Sequence, residues 1–298
     1  MSVLDVERLR AYSVQDCRET YDARDTILYS LGVGAGLSDT VDEIDFVFER
    51  RLKALPTLAL VLGTPGFWAM DPRAGLDWVQ ILHGEQSLKL YRPLEPQGEL
   101  VGRTFIGEIA DKGPGKPVML KSSRTLSTPS GQIVAEMEEI WVLRGAGGFG
   151  GERDLPHDPL PPMPERAADG SIDLPTGRNQ AMIYRLSGDR NPLHVEPETA
   201  KLGGFDGPIL HGLATMGVIG RALVHLCCGG DPSRLSAIRL RFTAPVVPGD
   251  IIRTDVWQNG NEIRFRASVP ARSLMVADGG LASIDSFAVE EAAERVSA

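Results

Sequence analysis

The amino-acid sequence predicts an α+β protein of two similar halves, each with an antiparallel sheet packed on a central helix. Three observations support this fold class. A proline-rich break divides the chain, matching motifs recur at a nearly constant spacing on either side of it, and strand-like segments follow an apolar helix-like segment. The 298 residues suffice for two domains of about 150 residues each.

The break begins in a glycine-rich stretch, residues 145–151 (GAGGFGG), and five prolines follow at positions 156–164. Such a composition suits neither a helix interior nor a central strand, so it predicts an extended linker over residues 151–172. The linker separates an N-terminal domain, 1–150, from a C-terminal domain, 173–298. The letters GAGGFG also fit the pattern GxGxxG. A dinucleotide site needs a helix directly afterwards, and the linker that follows instead argues against one.

The two halves resemble diverged copies of one another. Residues 24–31 (RDTILYSL) parallel residues 178–186 (RNQAMIYRL), which sets Tyr29 against Tyr184 at an offset of 155. Residues 55–59 parallel 210–214 at the same offset, and 93–100 parallel 245–251 at an offset that starts at 152. Three matches in one order suggest a duplication, although chance agreement between short apolar motifs is the alternative.

The predicted elements follow the same order in each half. Apolar helices are predicted over residues 56–63 and 209–226, and the second is apolar nearly all round, so we expect it to be buried. Strands are predicted over residues 237–243, 251–258, 262–269 and 274–282. Turn signals at 248–250 (PGD) and 259–261 (NGN) predict hairpins between them.

Composition excludes several classes of function. The formal net charge is −9 and the sequence pI is about 5.2, which disfavours nonspecific binding to nucleic acid or to an anionic membrane. The three cysteines, Cys17, Cys227 and Cys228, form neither a disulfide framework nor a zinc motif. The first ten residues are charged and lack the apolar stretch of a signal peptide. We therefore expect a cytoplasmic protein that binds neither nucleic acid nor membrane.

Residues 184–197 (YRLSGDRNPLHVEP) carry the most informative chemistry. Gly188, Pro192 and Pro197 break regular structure, so Asp189 and His194 are predicted to lie on a shaped loop that could turn both side chains into one cavity. A carboxylate beside an imidazole is a common general acid/base pair, and one water can bridge the two groups. The alternative is structural, with the carboxylate capping backbone N–H groups and the histidine on the surface.

The sequence YRLSGDRNPLH, followed by GFDGPILHG at 204–212, resembles the hydratase-2 motif of the MaoC-like, hot-dog-fold (R)-specific 2-enoyl-CoA hydratases. Further likeness lies at residues 28–35, 82–86 (LHGEQ), 111–113 (DKG) and 144–151. It points to the two-domain members, such as the hydratase unit of peroxisomal multifunctional enzyme type 2. The resemblance implies a double hot dog, in which two antiparallel sheets each wrap a central helix.

The resemblance also implies roles for individual residues. Asp189 and His194 match the catalytic pair, Asn191 orders the water or the loop, and the Gly212 N–H binds the thioester oxygen. Contacts to the CoA ester are implied at five positions of the first half and the last sheet, namely Glu49, His83, Gly84, Lys112 and Phe242. Glu49 matches an acidic residue needed for activity.

The residues around Gly212 support its role independently. His211 and Gly212 open the predicted helix at 209–226, and the first N–H groups of a helix have no internal partner and lie at its positive end. A donor there can hold an oxygen that gains negative charge, and glycine lets the ligand approach closely. The alternative is that this glycine only eases helix packing.

At the offset of 155, Gly34 and Asp39 stand where the second half has the pair, so the first half is predicted to be a pseudo-domain and the chain to have one active site. The predicted function is (R)-specific hydration of trans-2-enoyl-CoA to (3R)-3-hydroxyacyl-CoA, and the reverse dehydration. Acyl-CoA is the expected substrate, no cofactor or metal is expected, and a homodimer is expected. The alternatives are a hot-dog acyl-CoA thioesterase and a non-catalytic acyl-CoA-binding subunit.

Overall fold

The computed structural model describes residues 3–156 and 159–284. The α-helices are α1 (Val6–Ala11), α2 (Ala23–Gly32), α3 (Gln180–Tyr184), α4 (Pro197–Leu202) and α5 (Gly212–Cys227). The strands of the N-terminal half are β1 (Cys17–Tyr21), β2 (Ile81–Leu90), β3 (Gly98–Asp111), β4 (Val118–Ser127) and β5 (Ile133–Leu143). Those of the C-terminal half are β6 (Gly170–Pro175), β7 (Leu235–Phe242), β8 (Ile251–Asn259), β9 (Glu262–Val269) and β10 (Leu274–Ile284). Within the described ranges, no helix is long and apolar enough to cross a membrane.

All ten strands form one antiparallel sheet in the order β1-β3-β4-β5-β2-β7-β10-β9-β8-β6. The two halves have the same strand order when each is read inward from its own edge. The order β1-β3-β4-β5-β2 of the first half corresponds to β6-β8-β9-β10-β7 of the second. The halves join where β2 pairs with β7. Tyr29 on α2 and Tyr184 on α3, which the repeat sets at equivalent positions, pack against each other with ring centroids 6.0 Å apart. The symmetry of the sheet supports the predicted duplication and confirms the double hot dog fold.

The C-terminal half is built around α5. The sheet wraps this helix, and most of its side chains are buried in a core shared with both halves. The helix predicted at 209–226 begins at Gly212, because His211 is the extended residue before the first turn. The four predicted strands are confirmed, and the NGN signal forms the turn of the β8–β9 hairpin, where Asn259 pairs with Glu262.

The N-terminal half lacks a helix of comparable length. Instead of the helix predicted at 56–63, the chain forms a single 3-10 helix, Pro56–Leu60. It ends before Gly63, whose φ of 59° takes the chain out of helical geometry. Gly63 then lies against the backbone of β3, so close that a Cβ added to Gly102 would fall 1.8 Å from the carbonyl oxygen of Gly63. The central helix expected in this half is therefore reduced to a short segment.

Of the predicted linker, residues 151–156 and 159–169 are irregular, and β6 already begins at Gly170, inside the predicted range. The glycine-rich stretch, residues 145–151, wraps the side chain of Asp111. The Asp111 carboxylate accepts hydrogen bonds from the backbone N–H groups of Gly113, Gly148 and Gly150, at 2.7–3.0 Å. These N–H groups are occupied by a carboxylate, which agrees with the argument against a dinucleotide site.

A buried ion pair ties the two halves together across α5. Arg221, in the middle of the helix, donates to both carboxylate oxygens of Glu43, and His225 lies 3.1 Å from the same group. Burial alone would raise the pKa of Glu43, but hydrogen bonds from His225 and Arg221 lower it to about 2. His225 is thus paired with a buried carboxylate. Breaking such a buried pair leaves an uncompensated charge and is strongly destabilising.

Candidate active site

A cavity of about 290 Å³ lies between the first turn of α5, the 188–194 loop and the concave face of the N-terminal sheet. The second half contributes Asp189, Asn191, His194, Gly212 and Phe242 to its wall. The first half contributes His83 and much of the face of β2, β4 and β5. Six of the nine residues singled out in the sequence therefore line one cavity, and Gly84 lies directly beside it in β2.

The loop that carries Asp189 and His194 is shaped by its own side chains. Gly188 takes a φ of 127°, and the backbone N–H of Asn191 then donates to Oδ1 of Asp189 at 3.1 Å. Oδ1 of Asn191 accepts from the N–H of Leu193 at 3.0 Å and so caps the 3-10 helix Pro192–His194. Asn191 therefore holds the loop, one of the two roles that the resemblance implied for it.

His194 is held in one tautomer. The ring is only 8% exposed, and its Nδ1 lies 2.9 Å from the carbonyl oxygen of Ile209. Because a carbonyl only accepts, Nδ1 carries the proton and Nε2 keeps its lone pair. Burial lowers the pKa of His194, and the nearby Asp189 carboxylate partly opposes that shift. The neutral ring is therefore a base at neutral pH.

His211 is a neighbour that the sequence reasoning left without a role. Its ring stacks on His194 at 3.7 Å between centroids, and its Nε2 donates to the backbone carbonyl of Asp189 at 3.2 Å. Burial and the proximity of His194 hold the pKa of His211 well below its usual range. This histidine supports both members of the predicted pair. Its place directly before Gly212 was the only sequence signal for it.

Three side chains converge closely enough to raise the question of a metal. Asp189, His194 and His211 each offer a donor atom, and these atoms lie within 4.8 Å of one another. Metal–nitrogen bonds lie near the plane of the imidazole, whereas these two rings are stacked at an interplanar angle of 28°. Two stacked rings cannot both aim an in-plane lone pair at one ion at about 2.1 Å. The geometry fits a proton-transfer site better than a metal centre.

Gly212 is the first residue of α5, and its N–H lies at the positive end of the helix. In the part of the chain that the structure describes, no group accepts a hydrogen bond from it. A Cβ added to Gly212 would lie 3.4 Å from Cβ of His83 and 3.5 Å from the ring of Phe242. These two rings meet edge to face, 4.9 Å apart. They form the wall opposite the helix start.

The remaining three predicted residues lie outside the cavity wall. Gly84 lies at a bulge where the register of β2 against β5 shifts, and a Cβ there would meet the carbonyl oxygen of Ile140 at 3.0 Å. Its role is to shape the strand that presents His83. Lys112 follows β3 and pairs with Asp154 at 2.7 Å. Neither is among the residues that line the cavity.

The predicted contact at Glu49 is not supported by its position. Glu49 is exposed on the 3-10 helix Glu49–Arg51 and lies in a separate surface groove with Asp22 and Arg24. The acidic residue of this segment that reaches the interior is Glu43, through its pair with Arg221. A FVFE run in an irregular segment has no periodicity that could show which acid turns inward.

Sequence reasoning also missed the polar residues that the N-terminal sheet contributes. Gln86, Ser122, Arg124 and Glu139 all line the cavity. Gln86 ends the LHGEQ motif, which assigned it no role, and the other three lie in strands with no motif around them, so only the register of the strands brings them together.

The fold and the site define a double hot dog protein with an Asp/His cluster beside a helix N-terminus. Family models match both halves: the one described as MaoC like domain over residues 160–278, and the one described as MFE-2 hydratase 2 N-terminal domain over residues 20–145. The 3-hydroxyacyl-thioester dehydratase Y of Mycobacterium tuberculosis is 42% identical over 265 residues, which covers 86% of this chain and 90% of that protein.

Two further similarities extend over nearly the whole chain. The probable enoyl-CoA hydratase 2 of Dictyostelium discoideum is 34% identical over 292 residues, 95% of this chain and 97% of that protein. A crystal structure of a MaoC-like dehydratase from Phytophthora capsici has a TM-score of 0.80 at 34% identity, covering 95% of this chain and 99% of that one. The chain belongs to the MaoC-like hydratase 2 family, and the resemblance found in the sequence is confirmed.

Proposed function

We propose that the protein hydrates trans-2-enoyl-CoA to (3R)-3-hydroxyacyl-CoA and catalyses the reverse dehydration. The observation that carries this proposal is the convergence on one cavity of a neutral, tautomer-fixed His194, the Asp189 carboxylate and the free N–H of Gly212. Relatives named as an enoyl-CoA hydratase and a 3-hydroxyacyl-thioester dehydratase support the two directions of the same reaction.

Each group has a defined task in the hydration. The thioester oxygen accepts a hydrogen bond from the Gly212 N–H, which draws electrons from C3 and stabilises the enolate that forms. Nε2 of His194 takes a proton from a water held with Asp189, and the water oxygen bonds to C3. The electron pair of the C2–C3 double bond moves to C2 and the thioester oxygen. The proton then returns to C2 from the His194–Asp189 pair, so the elements of one water are added.

The placement of these groups supports syn addition. Because His194 and Asp189 belong to one loop on one wall of the cavity, the hydroxyl group and the proton reach the same face of the double bond. The (3R) configuration depends on which face of C3 meets this loop, and for this part the proposal rests on the likeness to the (R)-specific hydratases. Analysis of the product from crotonyl-CoA by a chiral separation tests this, and a (3S) product would contradict it.

The first experiment is the loss of enoyl absorbance with crotonyl-CoA and trans-2-decenoyl-CoA. Release of free CoA from a saturated acyl-CoA, without hydration, would instead identify a thioesterase. Binding of acyl-CoA without either reaction would identify a non-catalytic subunit. The helix-start donor and the fixed base are what hydration needs and simple binding does not, which favours the hydratase.

The proposed reaction uses no cofactor. Conjugate addition to a thioester has no redox step, and proton transfer and hydrogen bonding supply its catalysis. Turnover should therefore survive exhaustive treatment with EDTA, and restoration of a chelator-sensitive activity by a divalent ion would contradict this. A cytoplasmic location and a homodimer stay predictions, and the second is checked by size-exclusion chromatography with light scattering.

A further inference from the structure

Polar residues cross the middle of the concave face of the N-terminal sheet. Gln86 on β2 lies opposite Glu139 on β5, and Glu139 lies opposite Ser122 on β4. Arg124 is on the same face of β4, one pair further along, opposite Met137. We name Gln86, Ser122, Arg124 and Glu139 the polar row. All four line the cavity.

The same face is apolar on either side of the polar row. Further along β4, Leu126 belongs to the core around α5, and Leu120 belongs to a second core with Trp68 and Trp141. A cavity meant for a plain hydrocarbon chain would be stabilised by apolar residues here too, because a polar group covered by an alkyl chain loses its contact with water. The polar row therefore indicates a ligand with its own polar atom at this depth.

The polar row is held in place by hydrogen bonds that leave capacity for a ligand. Oε1 of Glu139 accepts from the Ser122 hydroxyl at 2.8 Å, and Oε2 accepts from Nε1 of Trp141 at 3.0 Å. A carboxylate has about four acceptor positions, so two are used. The Arg124 guanidinium donates to the backbone carbonyls of Leu60 and Leu62. Among the described residues, no carboxylate forms an ion pair with it.

The distance from the reacting atoms follows from β2. Gln86 lies three residues beyond His83, whose Cβ faces Gly212. A bulge at Gly84 takes up one of these residues, because His83 and Gln86 pair with Trp141 and Glu139, which are two residues apart on β5. At about 3.3 Å per residue, the polar row therefore begins roughly 7 Å from His83, and it extends across β5 and β4 at about 4.8 Å per strand. A group that reaches it belongs to the far part of a medium-length acyl chain.

We propose that the cavity takes 2-enoyl thioesters whose acyl chain carries an oxygen function, such as a hydroxyl group, toward its far end, and that the polar row hydrogen-bonds this oxygen. A hydroxyl group can donate to the Glu139 carboxylate and accept from the Arg124 guanidinium, which an alkyl terminus cannot do. The proposal rests on the proposed hydratase function and specifies the substrate class of that site.

The test compares kcat/KM for trans-2-decenoyl-CoA and its 10-hydroxy counterpart. The wild-type protein should favour the hydroxylated substrate by about tenfold, the value of one hydrogen bond to a charged group. Glu139→Met should reduce that preference by about tenfold, and Gln86→Met, a second change of similar volume, should reduce it in the same direction. Leu120→Met is the matched control, since Leu120 is an apolar residue on the same face of β4 and the change removes no polar group, so it should leave the preference in place.

Crotonyl-CoA separates the two proposals, because its chain ends at C4 and does not reach the polar row. Turnover of crotonyl-CoA with equal kcat/KM for the two decenoyl substrates would overturn the present proposal and leave the hydratase function standing. No turnover of any of the three would overturn both. If Glu139→Met and Gln86→Met lower kcat/KM equally for all three substrates, the polar row binds the pantetheine arm that they share, and the proposal is wrong.

Discussion

Replacement of Gly212 by proline isolates the backbone donor on which the proposed reaction depends. Proline removes the N–H, and the first position of a helix tolerates it because that N–H has no intrahelical partner. The residue before a proline must be extended, and His211 already has φ −56° and ψ 139°. The added Cβ would meet His83 and Phe242 at 3.4 Å or more, which is ordinary van der Waals contact. The folded structure can therefore accept the change.

The expected loss is kinetic. Removing one donor from a developing oxyanion lowers kcat by about 10²–10³, or roughly 3–4 kcal/mol of transition-state stabilisation. Gly212→Ala is the control, since it adds the same Cβ and keeps the N–H, so it should retain most of the activity. We would measure kcat from the loss of enoyl absorbance and the unfolding midpoint by circular dichroism. A folded Gly212→Pro protein with full kcat would refute the assignment, and so would an equal loss in Gly212→Ala.

Three further predictions concern the Asp189–His194 pair, the pH dependence of the protein's stability and the number of sites per chain. Asp189→Ala and His194→Ala should each lower kcat by about 10²–10⁴ with an unchanged circular dichroism spectrum, and near-normal turnover in either would exclude that residue from the pair. Burial lowers the pKa of His83, His194 and His211, so below their unfolded value of about 6.5 the unfolded chain binds more protons. Their contribution to stability is therefore complete above that pH and is lost as the pH falls through the folded-state values, by up to about 1.4 kcal/mol per pH unit for each histidine. Thermal unfolding between pH 7.5 and 5 measures this, His211→Gln should flatten the profile, and a constant Tm would contradict the reasoning. Calorimetric titration with a thioether analogue of decanoyl-CoA should saturate at one equivalent per chain, and two equivalents would reveal a site in the N-terminal half.

The sequence predicted the elements whose signals are local. The strands of the second half were bounded by proline, glycine and asparagine turns, and α5 was a long segment, mostly apolar despite Arg221 and His225, that a proline precedes. The segment at 56–63 carried the same apolar signal, yet it forms only a short 3-10 helix. What ends it is the close packing of Gly63 on Gly102, a contact between residues far apart in the chain that no local pattern expresses.

The residues of the site also divide into those that a local motif predicts and those that only the fold brings together. Two short segments of the sequence contain Asp189, Asn191, His194 and Gly212, so the sequence alone shows their motif. His211 gained its importance only through a ring stack with His194 across seventeen positions of sequence. The polar row depends wholly on strand register, since its members come from three strands. Glu49 shows the opposite case, in which a residue matched by motif lies on the surface outside the cavity, and its role stays a prediction.

The two halves have the same order of strands, but they contribute different features to the site. In each half the concave face of the sheet must be covered, and a full-length helix such as α5 fills it with side chains. That helix also supplies the unpaired N–H at Gly212. The C-terminal half therefore has the hydrogen-bond donor, but the helix fills the concave face of its sheet. The other half has given up all but Pro56–Leu60 of its helix, which opens the cavity over β2, β4 and β5 but leaves no helix N-terminus there. The Glu43–Arg221 pair holds the open half against the middle of α5, so the cavity and the donor stay in fixed register. Because the donor comes from one half and the open cavity from the other, we expect one site per chain despite its two matching domains.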